Sequence, residues 1–180
     1  MAIKPRDFYE QLAKHGISFY TGVPDSLLKE FCLCIDEHIA RTKHIITANE
    51  GNAIALAAGY YLAQQSLPLV YMQNSGLGNA VNPLLSLCDP DVYSIPMLLM
   101  IGWRGEPGVK DEPQHVKQGR IQMTLLDAMD IPHEVISKDD TRFDMKISNI
   151  IEIAVNESRP TALLIKKGTF EKYTHRVQVS

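Results

Sequence analysis

A chain of 180 residues with a formal net charge of −3, 45% hydrophobic and 22% charged, fits one globular domain with an adequate core. It has no basic excess of the kind duplex nucleic-acid binders carry, and no apolar run approaches the ~20 residues needed to span a bilayer. The opening ten residues lack the apolar segment of a secretion signal, and Cys32, Cys34 and Cys88 make no disulfide framework, so a cytoplasmic protein with buried thiols is expected.

Along the chain, strand-like apolar runs alternate with segments of helical period. A first helix follows Pro5, with Phe8, Tyr9 and Leu12 on one face. Residues 17–21 read as a strand that ends in the turn Gly22-Val23-Pro24-Asp25, and Leu27, Leu28, Phe31, Ile35 and Ile39 then repeat at helical spacing. Residues 44–48 form a second strand ending at Asn49-Glu50-Gly51, before a small-residue helix over 52–63. A third strand, 67–73, leads through Asn74-Ser75-Gly76 into a helix that runs to Leu87, and 96–101 is the fourth. Residues 103–115 break the pattern as a long loop containing glycine and proline. Helix 119–129, strand 133–136, helix 143–156 and strand 161–166 complete the order.

This alternation predicts an α/β domain over residues 1–180: an open, mainly parallel six-stranded sheet with helices on both faces. In such a sheet the carboxyl ends of the strands share one edge, where ligands bind. The segments 22–26, 49–52, 74–79 and 102–115 all fall at strand ends and are expected to converge there.

Several residues on that rim carry two readings. Glu50 at a strand-to-helix junction either complements the positive helix end or supplies chemistry. Asp25, just before Ser26-Leu27-Leu28, is a good helix cap, a role Ser26 could fill instead. Gly76-Leu77-Gly78 is not a dinucleotide fingerprint, because Val81 stands where the third glycine belongs and the motif follows the third strand. Arg104, Lys110, Lys117 and Arg120 are candidate anion ligands in and beyond the long loop, and arginine can present two parallel donors. His115 is either an ordinary histidine or a proton-transfer group.

Over residues 17–167 the chain resembles the pyrimidine-binding domain of thiamine-diphosphate-dependent enzymes, notably the N-terminal half of phosphonopyruvate decarboxylases and the alpha subunit of sulfopyruvate decarboxylases. The likeness is carried by Gly22-Val23-Pro24-Asp25-Ser26, Asn49-Glu50-Gly51-Asn52-Ala53, Gln73-Asn74-Ser75-Gly76-Leu77-Gly78-Asn79, Gly102-Trp103-Arg104-Gly105-Glu106-Pro107-Gly108 and Asp111-Glu112-Pro113-Gln114-His115. The resemblance implies that Glu50 hydrogen-bonds N1′ of the cofactor's aminopyrimidine and thereby activates it. It also implies that Asp25 and His115 assist proton transfers, and that Asn74, Ser75, Gly76, Gly78 and Asn79 wall the cofactor pocket. The expected activity is decarboxylation of 3-phosphonopyruvate to phosphonoacetaldehyde and CO2, as in phosphonate biosynthesis. Sulfopyruvate decarboxylation, or a non-catalytic interaction module of the same fold, is the alternative.

The family's diphosphate- and metal-binding signature begins Gly-Asp-Gly, which does not occur here. The resemblance therefore implies that the ligands of Mg²⁺ come from a partner domain or beta chain, in a homo- or hetero-oligomer. The polar, basic end over residues 166–180 resembles the start of an interdomain link.

Overall fold

The computed structural model describes residues 1–174. Its elements are α1 (Pro5–Lys14), β1 (Tyr20–Gly22), α2 (Lys29–His38), β2 (His44–Ile46), α3 (Glu50–Gln64), β3 (Leu69–Gln73), α4 (Leu77–Pro83), β4 (Met97–Gly102), α5 (Pro113–Ala128), β5 (His133–Ile136), α6 (Phe143–Asn156) and β6 (Pro160–Ile165). The six strands form one sheet in the order β2-β1-β3-β4-β6-β5, and every pairing is parallel.

Alternation of side chains along each strand divides the core into two layers. Tyr20, Leu69, Tyr71, Leu98, Met100, Leu163 and Ile165 pack with Phe8, Leu12, Phe31, Ile35, Ile147 and Ile150, which places α1, α2 and α6 on one face. Val70, Met72, Leu99, Ile101, Ala162 and Leu164 pack with Ala53, Ala57, Leu77, Ala80 and Leu126, which places α3, α4 and α5 on the other. Fully burying each large apolar side chain contributes roughly 1.5–3 kcal/mol, so both faces are committed.

Several boundaries differ from the sequence reading. The strand expected over 17–21 is Tyr20–Gly22, and that expected over 44–48 is His44–Ile46. The helix expected to run to Leu87 is a 3-10 turn, a short α-helix ending at Pro83 and a π-helical turn over Leu84–Cys88, as a proline without an N–H imposes. The long loop is shorter than expected: α5 begins with Pro113 at its first turn, so His115 and Lys117 are helical. Gly119, at which the sequence reading began the helix, instead lies in its interior. The reason for a glycine there is tertiary: a Cβ at Gly119 would collide with the Gly105 carbonyl, and one at Gly105 (φ +69°) with the His115 carbonyl.

Of the expected link over 166–180, residues 175–180 lie outside the described residues. The part that is described folds back. Ile3 N–H donates to Thr169 O at 2.7 Å and Glu171 N–H to Ile3 O at 2.9 Å. The Tyr173 amide and phenol reach Glu30 and Glu37 of α2, each at 2.7 Å. Cys34 and Cys88 are buried as expected, while Cys32 is only partly so.

Candidate active site

The strand order reverses beside β1: the chain passes outward to β2, then returns across β1 to form β3. Such a reversal opens a crevice at the carboxyl edge. All four predicted rim segments meet there, and bonds tie them together. Thr47 N–H donates to Gly22 O at 2.9 Å, and Arg104 Nη1 donates to Ser26 Oγ at 3.0 Å. The Asn74 amide makes two bonds to the Arg104 backbone, Nδ2 to O at 2.8 Å and Oδ1 from N–H at 3.1 Å.

Glu50 is the first residue of α3 and is partly buried. Asn49, in extended conformation, caps the helix by accepting the Gly51 N–H at 2.8 Å, so Glu50 is not needed as the cap. Its carboxylate turns toward α4 instead. Asn79 Nδ2 donates to Oε2 at 2.9 Å. The carboxylate otherwise lies against Gly76, where any Cβ would collide with Oε1. Oε1 has no hydrogen-bond partner among the described residues. A carboxyl group oriented through one oxygen and unengaged at the other can hold or release one proton at a fixed place.

Asp25 is buried (6% exposed) at the end of the β1 turn. Its Oδ2 accepts the Leu27 N–H at 2.9 Å and lies where a Cβ at Gly102 would be, so the turn reaches across β3 to the end of β4. Its Oδ1 is buried without a partner. Burial pushes this carboxyl above the ordinary range, against the opposing effects of the Leu27 N–H and the Arg104 charge. A carboxyl whose proton is held more tightly in this way is better placed to donate it.

Arg104 and Asp111 form the most saturated contact on the rim. Nε donates to Oδ2 at 2.8 Å and Nη2 to Oδ1 at 2.5 Å, with the side chains 19% and 9% exposed. The Gly105 and Glu112 N–H groups add bonds to the same carboxylate, each at 2.8 Å. Hydrogen bonds from Arg104 hold the Asp111 carboxyl well below the usual range. Arg104 thus spends its fork inside the loop. Lys110, Lys117 and Arg120 are exposed and make no ion pair among the described residues; Lys117 and Arg120, three apart on α5, share a helix face. His115 is the third residue of α5 and half-buried. Ser75 accepts from Gln73 Nε2 at 2.5 Å, while Gly78 and Asn79 lie exposed on α4.

Sequence reasoning missed three features. Asp111 stood in a motif, but nothing in the spacing showed that it faces Arg104. Lys166, at the end of β6, pairs with Glu106 at 2.5 Å and lies 5.8 Å from the Trp103 ring centroid. His44 of β2 joins Asp36 (Nδ1 to Oδ1, 2.7 Å) and Tyr71 (Nε2 to the phenol, 2.9 Å), a link between three elements that no local period reveals.

An all-parallel sheet of this order, with polar segments gathered at its reversal crevice, is the architecture of an α/β ligand-binding domain. Residues 6–131 match the family described as thiamine pyrophosphate enzyme, N-terminal TPP binding domain, and the chain belongs to that family. Among its relatives is a phosphonopyruvate decarboxylase of Streptomyces viridochromogenes, 41% identical over 130 residues, covering 72% of this chain and 32% of the relative. A sulfopyruvate decarboxylase subunit alpha of Methanococcus maripaludis is 31% identical over 157 residues, covering 87% of this chain and 90% of that subunit. The chain thus spans about a third of the length of the first relative and nearly the whole of the second. The thiamine diphosphate-dependent 4-hydroxybenzoylformate decarboxylase of Rhodococcus jostii RHA1 shares the fold, with a TM-score of 0.67 at 20% identity over 94% of this chain and 31% of that one. No helix among the described residues is long and apolar enough to cross a membrane.

Proposed function

We propose that this chain is the pyrimidine-binding part of a cytoplasmic, oligomeric 2-oxo acid decarboxylase that converts 3-phosphonopyruvate to phosphonoacetaldehyde and CO2. It works with a diphosphate-binding domain or beta chain that supplies the Mg²⁺ ligands. The observation that carries the reading is the Glu50 carboxylate, held by Asn79 over a glycine that leaves it room, in a chain 41% identical to a phosphonopyruvate decarboxylase.

The residues present fit thiamine diphosphate, since Glu50 offers an oriented, unengaged carboxyl oxygen to a pyrimidine nitrogen. Bound there, the cofactor supplies the electron sink for the pair left behind by departing CO2. Glu50 holds the proton at N1′, with Asn79 and Gly76 fixing its position and Ser75 and Gly78 forming the adjoining wall. Asn74 acts through the backbone it anchors. Asp25 is the proton donor at the reacting carbon, and His115 sits at the loop–helix junction to bind or protonate substrate. Lys110, Lys117 and Arg120 draw a multiply charged anion toward the rim, while Arg104 braces the loop that carries Lys110.

The test is reconstitution with a diphosphate-binding half, thiamine diphosphate and Mg²⁺, followed by comparison of kcat/KM for phosphonopyruvate, sulfopyruvate and pyruvate. Preference for phosphonopyruvate is expected. Preference for sulfopyruvate would support the second reading, which the 90% coverage of a sulfopyruvate decarboxylase alpha subunit favours.

A further inference from the structure

A cleft of about 310 Å³ opens between α2, the β1 turn and the edge strand β2, away from the Glu50 corner. Its floor lies at the edge of the sheet. In the sheet register Gly22 lies between Ile46 and Tyr71, and it contributes nothing to the face that α2 covers. Tyr71 leans over Gly22, where a Cβ would collide with its carbonyl, and its phenol reaches His44 on the edge strand. Pro24, Leu33, Ile46 and Tyr71 give the cleft largely apolar walls.

The polar groups facing it are few. Asp36 and His44 satisfy one another at 2.7 Å, and His44 also holds the Tyr71 phenol. Ser26 also lines the cleft, and its hydroxyl accepts from Arg104 Nη1 at 3.0 Å, which leaves two charged groups. Asp25 lines the cleft, is 6% exposed and has an orphaned Oδ1. Lys29, the first residue of α2 and one helical turn beyond Asp25, lines the same cleft and makes no ion pair among the described residues. A buried carboxyl oxygen without a partner is costly in a folded protein unless a ligand completes it.

The geometry points to this cleft as the seat of the substrate's anionic tail, with Lys29 as its counter-ion and Asp25 as the hydrogen-bonding group between tail and reacting carbon. The inference rests on the decarboxylase reading and names the specificity residue that reading lacks. One ammonium in an apolar slot suits one compact anion. The tail is the end that gains from it. A cation held on the departing carboxylate would stabilise the charge that cleavage must disperse, and so would oppose the reaction. Burial raises the Asp25 carboxyl above its ordinary range, which lessens its repulsion of an anion there. The volume is at the small end of ligand pockets and accommodates a three-carbon acid.

Cys32 lines the cleft and reports on it, whereas Cys34 and Cys88 are buried elsewhere and serve as internal controls. In the reconstituted assembly, phosphonoacetate is expected to slow modification of Cys32 by a small thiol reagent, and Lys29→Gln to abolish that protection. In turnover, Lys29→Gln is expected to lower the selectivity for phosphonopyruvate over tail-less pyruvate by about 10–100-fold, the range for a lost charged hydrogen bond, mostly through KM. Lys29→Arg is expected to restore most of it. Protection of Cys32 that depends on Lys29 would uphold the cleft even if no substrate were decarboxylated, a result that would sink the activity reading alone. Absence of protection, or a selectivity ratio untouched by Lys29→Gln in an active assembly, overturns the cleft assignment and leaves the activity reading standing.

Discussion

Two corners of one rim hold their carboxylates in opposite ways. At the β2–β3 corner Glu50 has a single side-chain donor, Asn79, and a glycine beside it. At the β1–β4 corner Asp111 accepts two bonds from Arg104 and two from backbone N–H groups, while Arg104 and Asn74 bind the loop to its neighbours. The first arrangement positions an acid and leaves valence open. The second exhausts every lone pair to make a rigid brace. Saturation marks structure and an orphaned oxygen marks chemistry, and the variants below separate the two by what each one loses.

The largest effect is expected from Glu50→Gln. Glutamine can keep the Asn79 contact but cannot hold a proton, so turnover of the reconstituted assembly should fall by roughly 10²–10⁴-fold while the thermal midpoint barely moves. Near-normal turnover would remove Glu50 from its proposed role. Asp111→Asn should do the reverse. It leaves the partly buried Arg104 without its carboxylate and should destabilise the fold by about 1–2 kcal/mol, the scale of charged hydrogen bonds at a partly exposed site. The sign with pH follows from the depressed carboxyl. Its stabilising contribution is complete above the ordinary aspartate pKa of about 3.9 and is lost as pH falls through the lower folded value. The acid limb of the wild-type stability curve should therefore flatten in Asp111→Asn. An unchanged limb would show that the brace is not linked to folding.

Gly76→Ala tests the Glu50 corner more gently. The new Cβ meets the end of a flexible side chain, so Glu50 can swing aside with little loss of stability, but its carboxylate leaves its place. A fall in kcat of about tenfold, at the low end of proton-transfer effects, is expected with a midpoint shift of a few degrees at most. A large shift in midpoint with intact kcat would mean that the glycine serves packing.

How much of this was legible beforehand follows from which interactions are local. α6 and β5 match their sequence boundaries because periodicity and flanking turns determine them, and the parallel sheet follows from the alternation of elements. Glu50, Asp25 and His115 stood out as candidates because they lie in polar segments after strands, within the motifs that carry the family likeness. The start of α5 was missed because the glycine- and proline-containing segment was read as loop through His115, whereas Pro113 opens the helix in its first turn. Arg104 read as a free anion ligand because a sequence displays a charge without displaying its partner. The Asp36–His44–Tyr71 link, and with it the cleft at Lys29, depends on three elements meeting, for which no window of the sequence carries a signal.

The smallest expected change in stability, and the one of opposite sign, belongs to Asp25→Asn. Burial raises this carboxyl above its unfolded pKa, so the folded state binds its proton more tightly than the unfolded chain does. Stability is then highest below the unfolded value and declines as pH rises through the folded one. Asparagine keeps an oxygen for the Leu27 N–H at 2.9 Å and cannot ionise. It should therefore raise the thermal midpoint modestly at neutral pH and leave it little changed in acid, while lowering turnover in the assembly. The combination matters, because a mere helix cap would lose stability or show no effect on replacement, whereas a group kept for proton transfer at the cost of folding free energy gains stability when its charge is removed. A midpoint that falls at neutral pH, with turnover intact, would return Asp25 to the role of cap.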